Sequence, residues 1–159
     1  MNFEIYNPTS RSSGFYLRVS IVYVILNLMK TDENILIDAA RKASENAYAP
    51  YSKIKVGAAI LSSSGKIYTG CNIENASYGL TVCAERVAVG CAVSQGEKDF
   101  IAIAIVNSTE KIITPCGACL QVLYEFSKNL QIILVSASGE IYRTNLESLL
   151  PKPFNFPNK

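Results

Sequence analysis

The 159-residue chain contains no histidine, so the imidazole ligand that many metal sites use is excluded. A block of lysine or arginine is also missing, and the formal net charge is only +2. Proteins that bind nucleic acids usually carry a basic patch or stripe. These absences favour a small molecule over a nucleic acid as the binding partner.

Long hydrophobic runs are scarce as well. The longest, Phe15–Met29, is shorter than the roughly 20 residues that a membrane span needs, and no small-residue cleavage site of a secretory signal follows it. Two interpretations remain. The run is an additional packed strand or helix, or Met29 is the true start of the chain and the residues before it are an artefact of start-site choice. We favour the second interpretation, which makes residues 1–28 an extension of unknown role and residues 29–159 the functional domain.

Three of the five cysteines lie in two short motifs, Cys83-Ala84-Glu85-Arg86 and Pro115-Cys116-Gly117-Ala118-Cys119. The Cys-x-x-Cys pair can direct two sulfurs at one point if Cys116 begins a helix, and Cys83 supplies a third. Three thiolates leave one tetrahedral position of zinc open, which is typical of a catalytic site, whereas structural sites have four protein ligands. The order C-A-E followed by P-C-x-x-C is the all-cysteine version of a zinc deaminase signature.

The residues beside these sulfurs suit hydrolysis. Cys83 and Cys116 are expected at helix N-termini, where free backbone N–H groups and the helix dipole stabilise thiolates. Glu85 can take a proton from a water molecule at the open position and deliver it to a ring nitrogen and then to a leaving amine. Arg86 can donate hydrogen bonds to a ligand sulfur and draw off excess negative charge.

The other two cysteines, Cys71 and Cys91, are interpreted as small buried hydrophobic residues. An odd cysteine count, with three residues serving as deprotonated metal ligands, argues against disulfides and for a reducing compartment. We therefore expect a cytoplasmic protein.

The hydrophobic pattern predicts an α/β domain with a mixed sheet of about five strands. A first helix is expected after a cap at Thr31 or Asp32, with Ile35 and Ala47 among its apolar positions and Pro50 at its end. Further helices are expected at about 83–93, 117–126 and 146–150. Strands are expected at 56–61, 66–70, 101–106, 132–135 and 141–143, the third covered on both faces.

At this point the motifs resemble a known family, the small homotetrameric zinc-dependent cytidine deaminases. The resemblance spans about residues 32–154, and its motifs are Ala49-Pro50-Tyr51-Ser52-Lys53, Val56-Gly57-Ala58-Ala59, Gly70-Cys71-Asn72-Ile73-Glu74-Asn75-Ala76, the two cysteine motifs and Leu149-Leu150-Pro151. It implies a three-layer fold with helices on both faces of the sheet. It also implies hydrolysis of cytidine and deoxycytidine to the uridine nucleosides and ammonia, in pyrimidine salvage. One zinc ion per chain would be held by Cys83, Cys116 and Cys119, with Glu85 as the proton shuttle.

The same resemblance assigns substrate contacts. Asn72 and Glu74 correspond to a pair that hydrogen-bonds the ribose hydroxyls, and the segment containing Ile73 suits a ribose. Tyr78 and the C-terminal aromatic Phe154 would lie near the site of a neighbouring subunit. This implies a homotetramer with shared active sites, in which Phe154 can stack on a pyrimidine.

Two positions depart from the family pattern. Ile54 stands where the family commonly has a phenylalanine that packs against the base, so apolar contact is kept and ring stacking is lost. Leu120 stands where an arginine often follows the second cysteine of the Cys-x-x-Cys pair, which leaves more of the charge compensation to Arg86.

Three other functions remain open from the sequence. A deaminase of an aminonucleoside antibiotic is the nearest, although Asn72-Ile73-Glu74 favours a ribose. A polynucleotide-editing deaminase would need basic or aromatic platforms that the chain does not show. A non-catalytic structural zinc module would need a fourth ligand, for which Cys71 or Cys91 is the available sulfur.

Overall fold

The computed structural model describes residues 33–156. The hydrophobic run Phe15–Met29, the predicted helix cap at Thr31 or Asp32 and the predicted division after residue 28 lie outside them. From residue 34 onward, the described residues belong to one compact unit. Over the described range, every helix is too short or too polar to cross a membrane.

Five strands form one mixed sheet in the spatial order β2-β1-β3-β4-β5. The strands are β1 (Val56–Ser62), β2 (Ile67–Cys71), β3 (Phe100–Asn107), β4 (Gln131–Val135) and β5 (Ile141–Asn145). The β3–β4 pair is parallel, and the other three neighbouring pairs are antiparallel. The predicted mixed sheet is confirmed, and each strand lies within two residues of its predicted bounds.

Helices cover both faces of this sheet. They are α1 (33–45), α2 (Ala84–Ser94), α3 (Gly117–Phe126) and α4 (Leu146–Leu149), with a 3-10 turn at Tyr78–Leu80. One face packs against α1, and the opposite face packs against α2, α3 and α4. This confirms the three-layer α/β fold.

Strand β3 lies at the centre of both cores. Its Ile103 and Ile105 side chains join the core on the α2 and α3 side, whereas Ala104 and Val106 join the core under α1. A strand buried on both faces needs apolar residues at successive positions. This explains the uninterrupted hydrophobic run that the sequence shows there.

The prediction for the end of the first helix is wrong. Helix α1 ends at residue 45, before Pro50, and Ala47 lies outside it. The physical reason is a strand-like pairing: the Tyr48 N–H donates to the Asn72 carbonyl at 3.0 Å, and the Glu74 N–H donates to the Tyr48 carbonyl at 2.8 Å. These bonds need an extended backbone at Tyr48, so the chain leaves the helix early.

Candidate active site

Three cysteine sulfurs converge at one point of the fold. The Sγ atoms of Cys83, Cys116 and Cys119 all lie within 4.8 Å of one another, and those of Cys83 and Cys116 are 3.9 Å apart. Tetrahedral zinc with Zn–S bonds of about 2.3 Å separates its sulfurs by about 3.8 Å. The donor set and its spacing therefore fit zinc, and neither Cys71 nor Cys91 belongs to the cluster.

Two helix N-termini hold these sulfurs. Cys83 is the N-cap residue of α2 and Cys116 that of α3, both with extended backbone. Cys119 follows in the first turn of α3 and is fully buried. The N-terminal positions predicted for Cys83 and Cys116 are confirmed to within one residue, and both helix dipoles favour negative charge at the cluster.

The cysteines of the cluster differ in the pKa of their thiol groups. The pKa of Cys83 is lowered to about 5 because Cys119, Cys116 and Arg86 all stabilise its thiolate. The pKa of Cys119 is raised, because its thiol is hydrogen-bonded to Cys83 and is buried. Zinc binds thiolates, so metal binding releases the protons that remain on the cluster.

Arg86 lies beside the sulfurs and is directed by a backbone contact. Its Nη2 donates to the Thr81 carbonyl at 2.9 Å. Burial alone would lower its pKa, but a hydrogen-bonding interaction with the Cys83 thiolate, followed by the charges of the cysteine cluster, raises it. Its Nε is buried and has no hydrogen-bond partner among the described residues. This spare donor next to an anionic cluster agrees with the predicted compensation of charge on the sulfurs.

Glu85 lies in the first turn of α2, with only 5% of its surface exposed. It lines a cavity of about 190 Å³ together with Cys83, Cys116 and Asn72. Burial, and then the negative charge of Cys83, raise the pKa of its carboxyl group. A raised pKa brings a carboxylate closer to neutral pH, which suits a group that accepts and returns protons.

The other walls of this cavity are largely apolar, with Val56, Ile105 and Ile113 among them. The cavity also includes Asn107, a residue that the sequence analysis missed. Asn107 is buried, and its Oδ1 accepts hydrogen bonds from the backbone and hydroxyl of Thr109. A polar residue at the end of an apolar strand was the available signal for it.

Asn72 follows the end of β2 and lines the cavity, and its side chain is already hydrogen-bonded to the backbone of a nearby segment of the same chain. Its Oδ1 accepts from the Val56 N–H at 2.9 Å, and its Nδ2 donates to the Ile54 carbonyl at 2.9 Å. An amide group can make four hydrogen bonds, so one N–H and one lone pair remain for another group. The backbone of Ile73 pairs with Val82, which fixes the loop that follows.

Glu74 points into a second cavity of about 370 Å³, lined also by Tyr51, Ser52, Tyr78 and Thr81. Its carboxylate accepts hydrogen bonds from the Ser52 hydroxyl and from the backbone N–H groups of Tyr51 and Ser52. The Ser52 hydroxyl contributes most to a lowered pKa of Glu74, which stays ionised at neutral pH. Thr81 lines both cavities, so the two lie side by side.

Three predicted substrate residues lie away from the sulfur cavity of their own chain. Ile54 is half-buried, and its backbone is bonded to Asn72 and Ser52. Tyr78 is 76% exposed and contacts Tyr51 edge-on, with 6.2 Å between ring centroids. Phe154 is 71% exposed and lines a groove of about 590 Å³ beside α3. The structure thus joins the sulfurs, Glu85 and Asn72, and leaves both aromatic rings at the surface.

Comparisons with known proteins agree with this geometry. The family model described as "Cytidine and deoxycytidylate deaminase zinc-binding region" matches residues 29–135, which include all three sulfurs of the cluster. A cytidine deaminase from Sporosarcina psychrophila is 48% identical over 125 residues, which are 78% of this chain and 92% of that protein. A blasticidin-S deaminase from Bacillus cereus is less similar, at 33% identity over 108 residues, 63% of this chain and 76% of that protein.

A solved structure gives the same result for the fold. The crystal structure of cytidine deaminase from Burkholderia pseudomallei superposes with a TM-score of 0.73 and 48% sequence identity. The match covers 76% of this chain and 98% of that one. The chain therefore belongs to the family of cytidine and deoxycytidylate deaminases, which are zinc-dependent hydrolases.

Proposed function

We propose that this protein hydrolyses cytidine and deoxycytidine to uridine and deoxyuridine with release of ammonia. One observation carries the proposal: a buried carboxyl group with a raised pKa, that of Glu85, lines the same cavity as Asn72 and two residues of the sulfur cluster, Cys83 and Cys116. A structural metal site has no need of a cavity or of a buried acid next to its ligands. A hydrolase needs both.

The residues divide the chemistry among them. Cys83, Cys116 and Cys119 would hold one zinc ion per chain, which when bound would supply the Lewis acid that makes water nucleophilic at neutral pH. Glu85 removes a proton from the attacking water and passes it to the ring nitrogen next to the amine-bearing carbon. It then takes the second proton from the new hydroxyl group on that carbon and delivers it to the departing amine, which leaves as ammonia. Arg86 moderates the negative charge of the sulfurs, which would otherwise weaken the metal as a Lewis acid.

The sugar is assigned to the two neighbouring cavities. The spare N–H and lone pair of Asn72 can bond one ribose hydroxyl, and the ionised Glu74 can accept a hydrogen bond from another. Since Glu74 already accepts bonds from the backbone of Tyr51 and Ser52, its carboxylate is fixed before substrate arrives. Such preorganisation lowers the entropic cost of binding.

We propose further that the protein is a cytoplasmic homotetramer of pyrimidine salvage and that its active sites are shared between subunits. The support is the exposure of large apolar side chains around the second cavity, notably Tyr48, Tyr51, Tyr78 and Leu80. Exposed apolar surface of this extent beside a binding site is typical of an assembly interface. In this proposal Phe154 of a neighbouring subunit covers the base.

The test is turnover of several substrates by the same purified, zinc-loaded protein. Cytidine, deoxycytidine, cytosine, single-stranded DNA and blasticidin S are compared by ammonia release and by the change in ultraviolet absorbance. We expect hydrolysis of both nucleosides, with little or none of the other three. Failure to hydrolyse either nucleoside contradicts the proposal.

The competing functions give distinct results in that assay. Hydrolysis of blasticidin S in preference to cytidine would identify a deaminase of an aminonucleoside antibiotic. Full zinc content without turnover of any substrate would identify a structural zinc module. The structure argues against a structural zinc module, because such a site needs a fourth ligand and the two remaining cysteines, Cys71 and Cys91, do not join the three-sulfur cluster.

A further inference from the structure

Helix α2 approaches strand β2 so closely that residue 70 has no room for a side chain. A Cβ atom built on Gly70 would lie 2.4 Å from the Ala88 backbone nitrogen, 2.6 Å from the Ala84 carbonyl oxygen and 2.8 Å from the Val87 Cβ. Side-chain carbons in proteins essentially never come this close. Two of the three neighbours are backbone atoms, so a change of rotamer cannot relieve the overlap.

The residues of α2 that pack against the sheet have small side chains along the whole length of the helix. Ala84, Ala88 and Ala92 follow one another at four-residue spacing, and all three are fully buried. The helix can therefore rest on the strand backbone itself. The contact with Gly70 falls in the part of α2 that begins directly after Cys83 and contains Glu85.

This contact lies between the two halves of the candidate site. Gly70 precedes Asn72 by two residues in the same segment, and Asn72 lines a cavity together with Cys83, Cys116 and Glu85. We propose that Gly70 is a positioning residue: its missing side chain sets the distance between β2 and the first turn of α2. It thereby sets the position of Cys83 and Glu85 relative to Asn72 and to the sulfurs on α3.

The consequence of adding one methyl group follows directly. In Gly70→Ala, α2 must move outward by several tenths of an ångström to about 1 Å, and Cys83 and Glu85 move with it. Cys116 and Cys119 lie at the start of α3, which provides none of the three atoms nearest to a Cβ on Gly70, so we expect them to keep their place. A misplacement of about 1 Å at a catalytic group can cost about 10²-fold in rate.

The chain provides a matched control on the other face of the sheet. A Cβ on Gly57, in β1, would lie 2.0 Å from the Ala40 carbonyl oxygen and 2.5 Å from the Ser44 backbone nitrogen, both on α1. Gly57 pairs in register with Cys71, so it lies at nearly the same height in the sheet as Gly70. Gly57→Ala creates the same kind of overlap but displaces a helix without sulfur ligands.

Cobalt(II) in place of zinc gives a readout that does not depend on activity, because its visible spectrum reports the coordination geometry of a thiolate site. The wild type, Gly70→Ala and Gly57→Ala are prepared as full chains, loaded with cobalt(II) for spectra and with zinc for kinetics. We expect both variants to lose thermal stability. Gly70→Ala alone should change the cobalt spectrum and lower kcat for cytidine by about 10- to 100-fold.

A wild-type cobalt spectrum and kcat in Gly70→Ala would overturn the proposal, and so would equal changes in both glycine variants. If Gly70→Ala does not fold, Ala88→Val enlarges a fully buried side chain at the residue whose backbone nitrogen approaches Gly70, and Ala92→Val is its control one turn further from Cys83. The spectrum must then change in Ala88→Val and not in Ala92→Val. The kinetic part rests on the proposed function: a wild type that does not hydrolyse cytidine refutes that function, while the spectra still test Gly70.

Discussion

The side chain of Gln121 holds the backbone of Phe154 through two reciprocal hydrogen bonds. The Gln121 Nε2 donates to the Phe154 carbonyl, and the Phe154 N–H donates to the Gln121 Oε1, each at 2.9 Å. Gln121 follows Cys119 by two residues on α3, so the C-terminal tail is tied to the helix that carries two of the sulfurs. The Phe154 ring is nevertheless exposed, which leaves it free to enter the site of another subunit.

Phe154→Ala should therefore raise KM for cytidine and leave the zinc content unchanged. Loss of one base–aromatic stack costs roughly 1–3 kcal/mol, which corresponds to an increase in KM of about 5-fold or more. Steady-state kinetics measure the change. Phe156→Ala is the matched control, since Phe156 is equally exposed but the described contacts do not clamp its backbone. An unchanged KM in Phe154→Ala would exclude the ring from the site.

Mixed assemblies test whether Phe154 acts on its own subunit or on a neighbour. Phe154→Ala subunits are combined with Glu85→Gln subunits, which keep the ring but lack the proposed proton shuttle. A shared site predicts that some pockets contain an intact Glu85 from one chain and an intact Phe154 from the other, and these pockets show the wild-type KM. Kinetics of Phe154→Ala alone, in proportion to that subunit, would mean that each site is built from one chain.

Removal of any one sulfur should abolish tight zinc binding. We expect Cys83→Ala, Cys116→Ala and Cys119→Ala to lose the metal and to unfold at lower temperature, because metal binding is coupled to folding. Cys71→Ala and Cys91→Ala should keep one zinc per chain, since neither residue joins the cluster. Elemental analysis after dialysis measures the content, and a full zinc complement in Cys119→Ala would contradict the ligand assignment.

The sequence predicted those parts of the fold that depend on local pattern. Helix α3 was predicted at 117–126 and is found at Gly117–Phe126, because the cysteine motif marks its start and the apolar spacing lies within the segment. The position of Cys83 at the N-terminus of α2 was predicted for the same reason, and the observed start of the helix is one residue later than predicted. The sequence also predicted that Cys83, Cys116 and Cys119 come together, because the Cys-x-x-Cys spacing and the additional cysteine are typical of a zinc site.

Features that depend on distant residues were not predictable in this way. Helix α1 ends early because Tyr48 pairs with residues 72–74, more than twenty positions away. The clamp of Gln121 on Phe154 spans 33 positions. The overlap that a side chain at residue 70 would create depends on how α2 lies on the sheet, and no local pattern encodes that distance.

Ile54→Phe should lower KM for cytidine. Ile54 is half-buried and its backbone carbonyl is bonded to Asn72, and the family resemblance implies that its side chain packs against the base. An aromatic contact adds about 0.5–1.5 kcal/mol beyond apolar burial, so KM for cytidine should fall by about 2- to 10-fold. Ile54→Leu is the control that keeps apolar volume without a ring. An unchanged or higher KM in Ile54→Phe would remove residue 54 from the base-binding surface.

A shortened chain that starts at Met29 should fold, bind one zinc and hydrolyse cytidine at a rate similar to that of the full chain. The match to the family model begins at residue 29, and both sequence motifs of the site lie downstream of it. Parallel purification of the two proteins, followed by zinc analysis and kinetics, makes the comparison. An insoluble or inactive short chain would show that residues 1–28 contribute to the folded domain.

The most direct test of the central claim is the effect of Glu85→Gln on cytidine turnover in protein with a verified zinc content. Glutamine keeps the size of the side chain and removes its ability to accept and return a proton. We predict full zinc content, unchanged folding and a fall in kcat of at least about 10²- to 10⁴-fold. A zinc-loaded Glu85→Gln protein that retains more than about a tenth of the wild-type kcat would contradict the account, because another group would then move the protons.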